Sequence, residues 1–234
     1  MTGFRHGRRA SLLALVLVGA LFATACGKPA YTYVSNKDAN TYFKVPSDWT
    51  QSKDTTGLDF TFAHAVFNVT DMHSQLFDTF QKVRWSVEYQ SPPDINAQLD
   101  GPLAYGLVTP VLPSFQGNIS LDWLRDMLGD PVSIGARTQA IASGQGLPRG
   151  FELLNDEVLT PSPGRHGVRV IYNLFVFVDQ LGNGFLATYD LTAITNDDSS
   201  LVYALLVGCT AECYRKNAVK INDVVTSFTV RSAP

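Results

Sequence analysis

Cys209 and Cys213 are the two side chains whose type and spacing most directly suggest chemistry. Two thiols four residues apart can meet if the chain between them bends, and a bond would pin that bend. A redox pair normally has two intervening residues, and a zinc site needs two further ligands. The pair reads as a structural disulfide, with free thiols as the alternative. The other reactive residue types form no comparable set. Among the four histidines, His6 lies near the N-terminus, His64 and His73 are nine apart, which fits no compact metal pair, and His166 is isolated. Asp122 and Asp126 share a helical face by spacing. Paired carboxylates do acid–base work only in a cleft that shifts a pKa, so a solvated helix face is the plainer reading. Asp197-Asp198 reads as a turn rather than a calcium pair, because no further acids follow at alternate positions. Gly144-Gln145-Gly146 is likewise a turn. The sequence has no G-x-S-x-G elbow, H-E-x-x-H, P-loop or G-x-G-x-x-G. No catalytic residue, metal ligand or cofactor is expected from these patterns.

The third cysteine, Cys26, has a different setting. Arg5, Arg8 and Arg9 precede an apolar stretch from Ala10 to Ala23, broken only by Ser11 and Gly19. Ala23-Thr24-Ala25 then leads directly into Cys26. A basic start, a short apolar run and small residues before a cut site are the parts of a secretory signal. The run is too short for a permanent span. A cysteine immediately after the small residues looks like a bacterial lipobox, in which Cys26 becomes the first mature residue and is acylated on its sulfur. The usual leucine three places before the cysteine is Ala23 here. Plain secretion with cleavage after Ala25 is therefore the alternative, and Arg8-Arg9 faintly resembles a twin-arginine signal. In a bacterial lipoprotein the sequons at Asn68 and Asn118 are expected to be idle. Residues 1–25 are expected as signal peptide, 26–39 as a lipidated tether, and 40–234 as one domain, placed at the outer face of the cytoplasmic membrane.

Composition agrees with a single globular body. The chain has 234 residues, 45% hydrophobic and 17% charged, which is neither disordered nor coiled-coil. Its 18 Lys+Arg face 21 Asp+Glu, so there is no basic excess for a nucleic-acid partner. Losing three arginines with the signal leaves 15 basic against 21 acidic residues, a net of −6. With no polybasic patch, the body is expected to hang from its acyl chains rather than lie on the bilayer.

Several elements must position whatever the domain does. Tyr42 to Pro46 reads as a strand ended by Pro46, with Ser47-Asp48 turning before Trp49. Leu58 to Val69 reads as a strand and Asp71 to Lys82 as a helix. Val83, Trp85, Val87 and Tyr89 alternate as on a half-buried strand, and Ser91-Pro92-Pro93-Asp94 breaks the chain. Leu103 to Leu112 is extended. Ser120 caps a short helix carrying Leu121, Leu124 and Leu128, which Gly129 ends. Ser133 to Gly150, rich in Gly, Ser and Ala, reads as a loop. A small-molecule pocket, if present, would lie where Tyr105 to Phe115 and the Trp123 helix cover the sheet.

The last third is the most regular. Phe151–Thr160, Gly167–Val178, Phe185–Thr195 and Leu201–Val207 are apolar or alternating runs joined by short turn sequences, which requires an antiparallel meander. Val170–Val178 and Leu201–Val207 are apolar almost throughout and should be covered on both faces, whereas Thr188, Asp190 and Thr192 should form a wet face. A helix from Ala211 to Ser227, capped by Thr210, presents Tyr214, Ala218, Ile221, Val225 and Phe228 as its apolar stripe. The class is α+β: an antiparallel sheet flanked by helices, with the C-terminal amphipathic helix packed on it.

The segment Tyr42-Phe43-Lys44-Val45-Pro46-Ser47-Asp48-Trp49 resembles the opening of PsbP-like domains. Ile221 through Val225, followed by Thr226-Ser227-Phe228-Thr229-Val230, is similar to their close, a plan shared by small actinobacterial lipoproteins of the LpqN type. The resemblance implies an antiparallel sheet with helices on its faces and no conserved chemistry. It implies assistance to larger assemblies rather than catalysis. The function expected is therefore a non-catalytic, membrane-anchored envelope lipoprotein that binds a protein partner or a small ligand. The alternative is a secreted, lipid-anchored hydrolase whose site is assembled from residues distant in sequence.

Overall fold

The alternation in the last third becomes four consecutive antiparallel strands in a computed structural model that describes residues 29–51, 84–91, 101–177 and 181–231. These are β6 (Glu152–Ser162), β7 (Arg165–Phe177), β8 (Gly184–Asn196) and β9 (Leu201–Thr210). Three earlier strands extend the sheet: β3 (Thr50–Gln51), β4 (Trp85–Gln90) and β5 (Leu103–Pro110), giving the order β3-β4-β5-β9-β8-β7-β6. A smaller sheet, β1-β2-β10, is formed by Tyr31–Asn36, Thr41–Pro46 and Thr229–Val230. Both sheets are antiparallel, and the chain is α+β as expected. The expected strand 58–69, helix 71–82, His64, His73, Asn68 and Cys26 lie outside the described residues.

Turn chemistry fixes the hairpins. The β6–β7 turn closes through Gly164 at φ +75°, a left-handed conformation that favours glycine. At the β1–β2 turn Asn36 Oδ1 accepts from the Ala39 N–H at 2.8 Å, and Asn40 takes φ +51°. β1 occupies part of the stretch expected as a tether. The pattern Tyr31-Thr32-Tyr33-Val34 has strong strand propensity, which the flanking polar residues outweighed in the sequence reading.

The large sheet divides two apolar layers. On one side Val202, Ala204 and Leu206 of β9 join Ala187, Tyr189 and Leu191 of β8 beneath the segment from Val111 to Val132. That segment carries α1 (Leu121–Arg125), capped by Ser120, whose Oγ accepts from the Trp123 N–H at 3.0 Å. Val111, Ile119, Leu124, Met127 and Val132 are all buried there, so the region suggested for a pocket contains packed core. On the other side Tyr203, Leu205, Val207 and Cys209 meet the small sheet and α3 (Ala211–Val225). Gly106 of β5 lets the Phe43 ring approach, since a Cβ there would lie 3.1 Å from it. β9 is thus covered on both faces, as its composition required, whereas β7 leaves Phe177 exposed, so the cover expected over Val170–Val178 is incomplete on one face.

Two expectations about the helices also need correction. Residues 133–150 are not a plain loop. They contain α2 (Ile134–Ala142), capped by Ser133, whose Oγ accepts from the Ala136 N–H at 3.1 Å. The helix buries none of its residues, so it has no apolar period to read, and its cap and good helix formers carry it. The glycines at 144 and 146 do form a turn, both at positive φ. The second correction concerns α3. Ile221, Val225 and Phe228 are buried as expected, and Tyr214 packs against the layer. Ala218, however, is exposed, and Val224 is buried in the stripe.

Cys209, near the end of β9, is disulfide-bonded to Cys213 in the first turn of α3, and both are buried. Thr210 between them caps the helix, its Oγ1 accepting from the Cys213 N–H at 3.2 Å. The bond closes a very small loop, so replacing both cysteines by serine should lower stability by only about 2 kcal/mol. Urea unfolding measures that difference. Alkylation of the unfolded, unreduced protein should add nothing at either position. Two added groups there would mean free thiols.

Candidate functional site

Strand alternation sends Tyr189 and Leu191 into the α1 layer and Asp190 toward α3. Asp190 is 0% exposed, so its carboxylate must be satisfied within the protein. Arg169 of β7, two positions from Ile171, the register partner of Asp190, supplies a two-pronged contact: Nε donates to Oδ1 at 3.0 Å and Nη2 to Oδ2 at 2.8 Å. The Tyr214 hydroxyl of α3 adds a third bond, to Oδ2, at 2.8 Å. Arg169 also donates to Asn222 Oδ1 of α3 at 3.3 Å. Hydrogen bonding to Asp190 raises the Arg169 pKa, and burial, then the charge of Asp190, raises that of Tyr214. This corrects the expected wet face of β8: Thr188, Asp190 and Thr192 are all buried. The cluster ties α3 to the sheet. It offers no proton for transfer, since the arginine stays charged and the carboxylate is fully occupied.

A second polar cluster lies on the opposite face. Asp126 ends α1 and accepts from the Val132 N–H at 2.8 Å, the Ser133 N–H at 2.7 Å and the Ser133 hydroxyl at 2.6 Å. It therefore joins α1 to the start of α2. Asp122 remains exposed and pairs with Arg125 at 3.0 Å, so the two acids of the expected helix face separate. Arg125 also holds Asp156 of β6, at 2.9 Å. Asp130 accepts from the Tyr172 hydroxyl at 2.8 Å, and the Tyr172 and Tyr189 rings lie 5.4 Å apart. Burial pushes the Asp130 carboxyl from 3.8 up to about 6. The Tyr172 hydrogen bond opposes the shift and the Asp126 charge adds to it.

A raised carboxyl pKa fixes the sign of a pH effect. Folded Asp130 keeps its proton up to about pH 6, whereas the unfolded side chain releases it near pH 3.8. Its contribution to stability is therefore lost as pH rises between those values and stays lost above them. Asn in its place can still accept from Tyr172. Asp130→Asn should be more stable than wild type by up to about 3 kcal/mol at pH 7.5, and about equal near pH 4. Urea midpoints across this range measure the gap. A gap independent of pH would place the carboxyl in water.

A third arrangement reaches the surface. On the α3-facing side of β6–β8, the Thr188 hydroxyl donates to Asn173 Oδ1 at 2.7 Å, and Asn173 Nδ2 donates to Glu152 at 3.0 Å. Toward the β7–β8 turn the same side carries Phe175, Phe177 and Leu186. Phe177 is 41% exposed and Leu186 37%. The Arg149 guanidinium lies 3.9 Å from the centre of the Phe175 ring and 5.9 Å from that of Phe177. β6 beside them is the terminal strand among the described ones and is largely exposed. The sequence reading did not single out this corner. Phe175 and Phe177 share the strand parity of Asn173, the polar side, and that was the available signal.

The remaining candidates fall apart in space. His166 is surface-exposed, its Nδ1 4.0 Å from Asp197. Asp198 lies in the β8–β9 turn and accepts from the Ser200 N–H at 3.0 Å. Among the described residues no group of three His, Cys, Asp or Glu is placed to hold a metal ion.

No family model and no curated protein matches the sequence. Solved structures with a similar course include cyanobacterial PsbP from Synechocystis, 16% identical, covering 88% of this chain and 96% of that one, with a TM-score of 0.44. LpqN, involved in cell envelope biogenesis of Mycobacterium tuberculosis, is 14% identical over 86% of this chain and 91% of its own, with a TM-score of 0.45. The Ran-binding protein Mog1p of Saccharomyces cerevisiae is 8% identical over 86% and 95%, with a TM-score of 0.40. Both kinds of protein that the sequence motifs resemble, PsbP and LpqN, are thus among the structural likenesses.

Proposed function

We propose that this chain is a lipid-anchored envelope protein with a non-catalytic domain that binds a protein partner at the Arg149–Phe175–Phe177–Leu186 corner. The observation that carries the reading is the corner itself. It is an arginine stacked on the half-buried Phe175 ring, with Phe177 and Leu186 exposed beside it, next to β6, the terminal strand among the described ones. Arginine and aromatic residues are enriched at binding interfaces, and the edge of β6, unpaired among the described residues, would add main-chain donors and acceptors. The buried Asp190 and half-buried Asp126 contribute nothing to such a surface, because each accepts three hydrogen bonds from its own chain.

An encoded photo-crosslinker at Phe177 should trap one discrete protein in intact cells. The same group at Val219, 79% exposed on the outer side of α3, should not. Arg149→Glu should abolish the Phe177 adduct. Equal crosslinking at the two positions, or a small molecule as the only adduct, would overturn the protein-partner reading. Turnover of a generic ester, phosphate or peptide substrate, abolished by one point substitution, would overturn the non-catalytic one. The anchor has its own test. A fatty-acid analogue should label the wild type and not Cys26→Ser, and unlabelled protein in the culture medium would refute it.

A further inference from the structure

The outer side of the small sheet carries a pattern that the corner on β6–β8 does not explain. Val34 of β1 and Phe43 and Val45 of β2 point into the core. Alternation therefore turns Tyr31, Tyr33, Tyr42 and Lys44 outward, and the register places Tyr33 opposite Lys44. Tyr33 is 80% exposed. The Lys44 ammonium lies 4.2 Å from the centre of the Tyr31 ring, and the Arg231 guanidinium lies 4.5 Å from that of Tyr42. Tyr31 is braced further by its hydroxyl, which donates to Asp223 Oδ2 at 2.8 Å. The face thus presents three tyrosines and two cations held against two of them.

Chain length says what lies opposite this face if Cys26 is acylated, and the inference rests on that reading. β1 starts at Tyr31, five residues after Cys26. An extended chain covers about 3.5 Å per residue, so the strand begins within about 17 Å of its anchor. A folded body of this size is roughly 40 Å across. The start of β1 is then held near the bilayer, which favours the small sheet as the part of the domain beside it and departs from a body hanging free on a long tether.

We propose that the outer face of β1–β2–β10 rests on an anionic lipid surface, with Tyr33 at headgroup depth and Lys44 and Arg231 beside lipid phosphates. Tyrosine is suited to that depth because its ring is apolar and its hydroxyl stays hydrated. Lys and Arg can lie along the rings while their charged ends reach outward to anionic headgroups. Asp38 in the adjoining turn offsets Lys37, so the attraction is local and depends on the tyrosines as well as on charge.

The test supplies the anchor chemically, so that it does not depend on lipidation in cells. In unacylated mature protein Cys209 and Cys213 are bonded, leaving Cys26 as the one thiol to couple to a maleimide phospholipid. An encoded fluorophore replaces Ser35, exposed on the same face, or Val219 as control. On vesicles of phosphatidylcholine and phosphatidylglycerol, brominated lipids should quench the Ser35 probe several-fold more strongly than the Val219 probe. Tyr33→Ser with Lys44→Glu and Arg231→Glu should bring the two to the same level without changing the melting temperature. Equal quenching in the unaltered protein would overturn the docking face. Absence of fatty-acid label on Cys26 in cells would instead remove the natural anchor.

Discussion

Ile221→Asp is expected to abolish cooperative unfolding of this domain at 25 °C. Ile221 is 0% exposed, in the middle of α3, packed in one layer with Val224, Val225 and Phe228 beneath the small sheet and over β9. Removing the side chain forfeits about 2–5 kcal/mol of burial and packing. The carboxylate put in its place adds several more, because among the described residues that layer is apolar and supplies no cation for it. The sum rivals a total domain stability of roughly 5–15 kcal/mol. Two controls separate this from a general intolerance of the helix. Ile221→Val should cost about 0.5–1.5 kcal/mol and keep a sharp transition. Ala218→Asp, on the exposed side of the same helix, should leave the melting temperature nearly unchanged. Circular dichroism on heating reads all three. An unchanged transition in Ile221→Asp would mean that the stripe does not face the sheet.

The controls mark where the sequence was informative and where it was not. The period-four and period-three steps through Ile221, Val225 and Phe228 identified the buried side of α3, because local geometry alone fixes which residues share a face. They also admitted Ala218, since a small residue fits either side of a helix edge. The meander was legible for the same local reason: short turns leave no other way to connect β6, β7, β8 and β9. The pairing of β5 with β9 was not, because it joins residues roughly a hundred positions apart and no local signal encodes it. α2 was invisible to periodicity because it buries nothing, and only the Ser133 cap announced it.

The polar clusters show a related limit. Alternation along β8 correctly separated Thr188, Asp190 and Thr192 from Tyr189 and Leu191. It could not say whether water or protein would meet the polar side. The answer was carried by α3, whose Tyr214 and Asn222 fall where they reach Asp190 and Arg169. Spacing along the helix places these residues about two turns apart. It did not tell that a strand acid and a strand arginine would lie beneath them.

That arrangement sets the second large effect. Arg169→Leu should destabilise the domain by about 3–5 kcal/mol, because Asp190 would remain buried with only the Tyr214 hydroxyl bond left of its three. The cost is that of the stranded carboxylate rather than the value of the pair. It follows that removing the charge as well should restore much of the loss: Arg169→Leu with Asp190→Asn should be more stable than Arg169→Leu alone by at least about 1–2 kcal/mol. Asp190→Asn by itself leaves the guanidinium, which is partly exposed and can still meet Asn222 and water, so it should cost less than Arg169→Leu. Urea unfolding of the four proteins measures the coupling between the two positions. Additive losses would mean that the ion pair is solvated and that α3 is held by its apolar stripe alone. Non-additive losses with the asymmetry stated here would place Asp190 in the role that its burial implies: an acid that fixes the helix on the sheet and is unavailable for chemistry.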